Sequence, residues 1–409
     1  MAVDRGGAAS GAASGAGQPV VLIGFAEALA AIEATWSLQE AGFKVVAFCR
    51  AGTRPALRRA RGVEVHEVPR PELDAAATAT AVRALVAVTS PTALLPLDDH
   101  AVWVCSQLTD VDVPLAGPAG DAAAFALDKS LQLAAAVRAG LPVPPTQVLD
   151  ELAEAAVPGY PVMVKPARAL YHVKGALERP TGVVCADSGE LRRAAARDWP
   201  GSVLVQPWIH GVGEGIFGHV GAGGVTGWSA HRRIRMVNPQ GSASSACRSV
   251  RLDEALIGPS ERFLSDIGWR GMFMLEFLRD SAGQAWFMEL NGRPWGSMAL
   301  ARRRGFEYPA WTVQATLTPD FQPAPPQRPP DIRCRNLGLE IAHLMFVARG
   351  PKTRAPMEWP RMSKALRDVF SFAAGDCLYN WNRSQPDVLV ADTLDTLRKY
   401  LGKMTRKRK

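Results

Sequence analysis

No apolar run in this chain reaches the roughly 18 residues that a helical bilayer span needs, so a helical membrane protein is excluded. The six cysteines, at positions 49, 105, 185, 247, 334 and 377, form no C-x-x-C pair and have no histidine at ligand spacing. That argues against a zinc site or a disulfide framework and fits a reducing cytoplasm. The first 17 residues, MAVDRGGAASGAASGAG, lack the apolar stretch of a secretion signal and read as a disordered leader. The turn after the first predicted strand is Gly24-Phe25-Ala26-Glu27 instead of G-x-G-x-x-G, so NAD binding is not expected. Neither an internal repeat nor a Ser/His/Asp or Cys/His nucleophile set is visible.

What is present is ordinary globular composition, 47% hydrophobic and 21% charged, in 409 residues, too many for one core, so two or three domains are expected. The net charge of +8 owes five positive charges to the tail Lys403 to Lys409. A solvated tail is the plain reading, with transient contact to nucleic acid or anionic lipid as the lesser one. From Pro19 to Arg50 the order is strand (VVLIG), helix from Glu27 to Ala41, Gly42 as a stop, and strand (KVVAF), a βαβ start of Rossmann type. Alternation continues to about Gly117. Asp98 and Asp99 are expected to cap a helix beginning near His100, and one of them facing a substrate is the alternative. Asp128-Lys129-Ser130 opens a helix that stops near Gly140. In the strand YPVMVKPA, Lys165 follows four apolar residues, which would set its charge beside the core.

The stretch Gly271 to Ser297, GMFMLEFLRDSAGQAWFMELNGRPWGS, reads as a β-hairpin turning at Asp280 to Gly283. If Arg279 pairs with Gln284, Glu276 lies opposite Phe287, and Glu289 and Asn291 share that face. The other face, Phe273, Leu275, Phe277, Trp286, Met288 and Leu290, is then core. Two carboxylates about 7 Å apart on a diagonal, with an amide next along, suit Mg²⁺, and Arg293 beside them suits a phosphoryl group. A surface hairpin with two solvated glutamates fits the same pattern equally well.

The string Glu289-Leu290-Asn291-Gly292-Arg293 resembles the metal-binding end of ATP-grasp enzymes, in the branch similar to carbamoyl-phosphate synthase large subunits. The resemblance spans about residues 18 to 315. It implies an α/β protein with a Rossmann-like pre-ATP-grasp domain over 18–117 and an ATP-grasp domain over 118–315; beyond it, composition and pattern read as a proline-rich linker at 316–330 and a helical C-terminal region over 331–409. Gly292 stands where the family usually has proline, which would leave Arg293 less firmly aimed.

Carried over by position, the resemblance makes Glu276, Glu289 and Asn291 the Mg²⁺ ligands. Lys129 and Lys165 become contacts to the ATP phosphates, and Arg293 and Arg233 the catalytic arginines. It sets Gln206, Trp208 and Ile209 at the adenine, with Pro207 lacking an N–H, and Glu214 at the ribose unless it is only a turn acid. His172 and Lys174 fall in the loop that closes over phosphates, where simple solvation is the commoner outcome. Alternation assigns Arg233 and Arg235 to one strand face and Arg232 to the other. Arg248 replaces an acid. Downstream, a helix broken at Gly305 is expected, with most of Arg302, Arg303 and Arg304 solvated.

The implied activity is an ATP-dependent carboxylate–amine ligase that forms an amide through an acyl phosphate and releases ADP and phosphate. An ATP-grasp enzyme with a hydroxyl, carrier-bound amine or carboxyphosphate route, and an ATP-binding scaffold without turnover, are the alternatives. Small carboxylates and amines are the expected partners, with nucleic acid not expected and a homodimer left open.

Overall fold

The computed structural model describes residues 17–241 and 243–406, with side chains through Gly402. Except for Gly17, the expected leader lies outside these residues, as do the side chains of the basic tail from Lys403 onward. The chain begins β1 (Val20–Gly24), α1 (Ala31–Glu40), β2 (Lys44–Arg50), β3 (Val63–Val68), α2 (Ala75–Thr89), β4 (Ala93–Pro96) and α3 (Asp99–Ser106). The four strands form a parallel sheet in the order β3-β2-β1-β4. Helix α1 starts later than the apolar pattern predicts because Glu27 is drawn away to the end of β2. There its carboxylate accepts from the Arg50 N–H at 2.8 Å. Asp98 caps α3, accepting from the Ala101 N–H at 2.8 Å.

Next come α4 (Asp121–Ala126), α5 (Lys129–Arg138), β5 (Gln147–Leu149), β6 (Val162–Pro166), β7 (Tyr171–Val173), β8 (Ala176–Glu178), β9 (Val183–Cys185), α6 (Ser188–Ala195) and β10 (Val203–Pro207). β5, β10, β6 and β9 form an antiparallel sheet, and β7–β8 is a separate hairpin. That hairpin lies on the first unit: the Leu177 N–H donates to the Pro71 carbonyl at 2.8 Å, and Leu170 and Leu177 join the core that contains Leu22 and Phe48.

The remainder is β11 (Val212–Gly221), β12 (Gly224–Met236), β13 (Ser244–Ser249), α7 (Glu254–Asp266), β14 (Gly271–Arg279), β15 (Ala285–Asn291), α8 (Met298–Arg303), α9 (Tyr308–Leu317), β16 (Arg333–Arg335), α10 (Leu337–Arg349), α11 (Met362–Phe370), β17 (Asp376–Leu378) and α12 (Pro386–Arg406). Their strands make one sheet ordered β15-β14-β11-β12-β13-β16-β17. Phe273, Leu275, Phe277 and Phe287 pack on one side with residues of α5 and α7. On the other, Phe217, Met272 and Met274 join Trp295, Tyr308 and the first sheet.

Two expectations for the chain's end need correction. The region read as a helical appendix supplies two strands, β16 and β17, to the largest sheet, because Arg333–Arg335 pairs with β13 along its open edge. The run Arg302 to Arg304 is not mostly solvated. Arg302 and Arg304 are both buried, and Arg302 binds Glu33, Glu40 and Glu307, each at 2.8 Å. Burial is tolerated because each guanidinium is met by acceptors. All six cysteines are free thiols, and the structure brings Cys247, Cys334 and Cys377 into register on adjacent strands. No helix among the described residues is long and apolar enough to cross a membrane.

Candidate active site

The β14–β15 hairpin forms one wall of a cavity of about 710 Å³. Its register differs from the expected one: Arg279 faces Ala285, and an irregularity between Glu276 and Phe277 leaves Met288 without a partner. One extra residue reverses the alternation beyond it. Phe287 therefore turns into the core and Met288 onto the cavity, while Glu276 stands directly opposite Glu289 and Met274 opposite Asn291. Glu276, Glu289 and Asn291 share the cavity wall, as the faulty register also had it, but now by direct opposition instead of a diagonal. β15 is a sheet edge, and its exposed backbone is held by Gln132 of α5. That amide donates to the Leu290 carbonyl at 3.3 Å and accepts from the Leu290 N–H at 2.9 Å.

The same helix carries Lys129, three residues earlier, onto the Glu289 carboxylate. Burial pushes Glu289 toward the neutral form, but Lys129 and then Arg293 outweigh it and hold the carboxyl well below the ordinary range. Arg233 binds Glu276 at 2.6 Å. Arg293 donates to Asp99 at 2.8 Å, and Arg179 reaches the other Asp99 oxygen at 2.9 Å. Burial works against the Asp99 charge too, yet Arg293 and Arg179 keep it ionised. Asp99 thus anchors arginines, while its neighbour Asp98 does the capping. Lys165, on β6 at the cavity's opposite wall, is pushed down to about 8, first by burial and then by the charge of Lys129.

The glycine before Arg293 answers a different need from the expected one. A side chain at Gly292 would meet the Trp269 ring at 2.4 Å, so close packing admits only glycine, and Asp99 does the aiming of Arg293. Gln206, Trp208 and Ile209 line the cavity. The Gln206 amide donates one hydrogen bond to the Thr146 hydroxyl at 2.7 Å, and the Trp208 backbone N–H is taken by the Pro161 carbonyl at 3.0 Å. Glu214 does not line the cavity. Strand parity turns it to the other face of β11, where Arg232 (2.6 Å) and Arg279 (2.8 Å) occupy its oxygens.

Its neighbours Gly213 and Gly215 take the cavity face and leave room for Arg233 and His231, whose atoms an added Cβ would meet at 2.5 and 3.0 Å. Arg235 departs from the side of Arg233 at a register shift and binds Glu340 of α10 at 2.6 Å. Arg248 is exposed and outside the cavity, as are His172, tilted against Trp103 with ring centroids 5.4 Å apart, and Lys174.

Sequence reasoning missed Gln132, Arg179, His231 and Ser297. His231 Nδ1 lies 2.9 Å from the Ser297 hydroxyl, and burial, helped by Arg233, pushes its pKa down to about 3, so the pair is neutral. Nothing local marked these residues; only the glycines at 213 and 215 hinted that bulky groups pass over β11. Among the described residues no three His, Cys, Asp or Glu side chains gather as a metal cage. Two opposed carboxylates and an amide remain as hard oxygen donors. That set fits Mg²⁺, which binds through one or two carboxylates and completes its shell with water and substrate phosphates.

No family model and no curated protein matches the sequence. Solved structures do match. An ADP complex of N5-carboxyaminoimidazole ribonucleotide synthetase aligns at 13% identity over 86% of this chain and 96% of that one, with a TM-score of 0.61. An L-amino acid ligase from Bacillus licheniformis aligns at 19% over 74% and 75%, TM-score 0.57. Biotin carboxylase from Campylobacter jejuni, in a complex with β,γ-ATP, aligns at 17% over 75% and 72%, TM-score 0.56. At these identities the likeness is one of fold.

Proposed function

We propose, from the ATP-grasp fold that the chain shares with these structures, that it is an ATP-dependent, ADP-forming ligase that joins a small carboxylate to an amine through an acyl phosphate. One observation carries the reading: Lys129, Lys165, Arg179, Arg233 and Arg293 converge with Glu276, Glu289 and Asn291 on a single cavity. Counting Asp99, which holds Arg179 and Arg293, five cationic groups against three carboxylates still leave a positive excess suited to a triphosphate.

Mg²⁺, when held by Glu276, Glu289 and Asn291, would neutralise charge on the β- and γ-phosphates. Lys129, Lys165 and Arg293 offset the charge that builds on the transferred group, and their positions are set beforehand by α5, β6 and the Asp99 ion pair. The substrate carboxylate oxygen attacks the γ-phosphorus and ADP leaves. The amine nitrogen then attacks the acyl carbon, phosphate departs with the C–O electron pair, and the amine loses a proton. No protein nucleophile is required. The adenine end is the stretch from Gln206 to Gly211, which lines the cavity with Met163 and Leu278.

The test withholds the amine. With ATP, Mg²⁺ and a panel of small carboxylates, hydroxylamine should intercept the intermediate and give a hydroxamate together with ADP. Hydroxamate with AMP and pyrophosphate would mean adenylation and overturn the proposed chemistry.

A further inference from the structure

A second cavity, of about 510 Å³, lies between the short 3-10 helix Ala56–Arg59 and α12, and shares no lining residue with the first. The start of α12 is docked: Val388 is buried in the core that holds Ala56 and Leu57, and the Gln385 side chain accepts from the Arg61 N–H at 2.7 Å. Beyond that contact Leu394, Asp395 and Arg398 stand over a gap lined on the other side by Arg54, Pro55, Arg58 and Arg59.

The charges across this gap do not balance. Of the two lining carboxylates, Glu67 is taken by Arg58 at 3.1 Å and by the Gly52 N–H at 2.9 Å, and Asp395 by Lys399 at 2.8 Å. Among the described residues Arg54, Arg59 and Arg398 have no carboxylate partner. Three guanidinium groups from two separate elements therefore face one concave space. Clefts with an excess of one sign of charge concentrate counter-ions, and the planar fork of arginine matches oxyanions two-pronged. Pro55, Ala56, Ala391 and Leu394 add an apolar floor, and the volume is that of a small-molecule pocket.

We propose that this groove is a binding site for a small, multiply charged organic oxyanion of the phosphate-ester type, which ties α12 to the first α/β unit. The limited volume favours a metabolite over an extended polymer. Because the ligand closes a gap between elements distant in sequence, it should stabilise the fold by mass action.

Inorganic pyrophosphate is the probe, without metal, in calorimetric titration and thermal melts of the full chain. Wild type should bind and melt higher, with the affinity falling as salt rises. Arg59→Ala/Arg398→Ala should lose at least tenfold in affinity and most of the melting shift, and Arg398→Glu all of it. All three residues are exposed, so the ligand-free melting temperature should barely move. Lys165→Met should keep the response. A response lost in Lys165→Met but intact in the arginine variants would put the anion in the larger cavity and overturn the proposal, as would no response in wild type.

Discussion

Lys165 is the residue whose chemistry the sequence exposes best and whose consequence is most directly measurable. Placed on β6 with Lys129 for a neighbour, its ammonium is held at about 8 instead of the ~10.4 of a free lysine. Two opposite pH dependences follow. In the proposed reaction the cation offsets phosphate charge, so kcat/KM for ATP should fall as pH rises through about 8. Stability runs the other way: between about 8 and ~10.4 the unfolded chain binds more protons than the folded one, so Lys165 contributes a rise in folding free energy with pH across that window. Lys165→Arg keeps a charge that does not titrate there, and its activity profile should lose the alkaline limb. A wild-type limb that persists unchanged in Lys165→Arg would assign the titration to another group.

At the scale of elements, the hairpin shows how one unpaired residue decides a site. Simple alternation put Phe287 beside the glutamates and Met288 in the core. The extra residue exchanges them, and with that exchange Phe287 completes the aromatic packing of Phe263 and Phe277. Gly292 is the next link, wedged against Trp269 and Pro118. The proline usual in the resembling family should therefore harm this protein. Gly292→Pro is expected to cost about 1–3 kcal/mol by overpacking and to lower turnover by displacing Arg293. Thermal melts check the first effect, and Trp269→Leu in the same chain should restore part of it. A Gly292→Pro protein that melts at or above wild type would show that Trp269 does not set the constraint.

Across the whole molecule, the first α/β unit is joined to α8 and to the segment between β17 and α12 through buried charge. Arg302 of α8 reaches Glu33 and Glu40 of α1 and Glu307 before α9, while Glu33 also accepts from Arg303 and from the Asn380 N–H. Only Glu40 of these acids is largely exposed. Removing the shared cation leaves buried Glu33 with only Arg303 and the Asn380 N–H, so Arg302→Ala should destabilise by far more than Glu40→Ala, for which a cost under about 1 kcal/mol is expected. Denaturant titrations separate the two. Equal costs would mean that Glu33 is satisfied by its other partners.

The fold class, the βαβ opening, the helix cap at Asp98, the helix that opens at Asp128-Lys129-Ser130 and the residues Glu276, Glu289, Asn291, Lys129 and Lys165 of the cavity wall were legible in the sequence alone. The opening and the cap rest on period and capping residues, which are local; the fold and the cavity residues, the two lysines above all, rest on the family resemblance carried by the compact motif Glu289 to Arg293. What the sequence could not settle were the partners. Glu214 looked like a ligand because a lone acid between glycines is conspicuous, and only strand parity within a paired sheet shows that it turns away to Arg232 and Arg279. Arg302 to Arg304 looked solvated because their acids lie far off in the chain, Glu33 at a separation of 269 residues from Arg302. Gln132, Arg179, His231 and the Arg54–Arg398 groove likewise gain meaning only when distant segments meet. Local periodicity decides which face a side chain takes, up to the first bulge; what it meets there is decided by tertiary packing, since hydrogen bonds and ion pairs depend on distance in space and not along the chain.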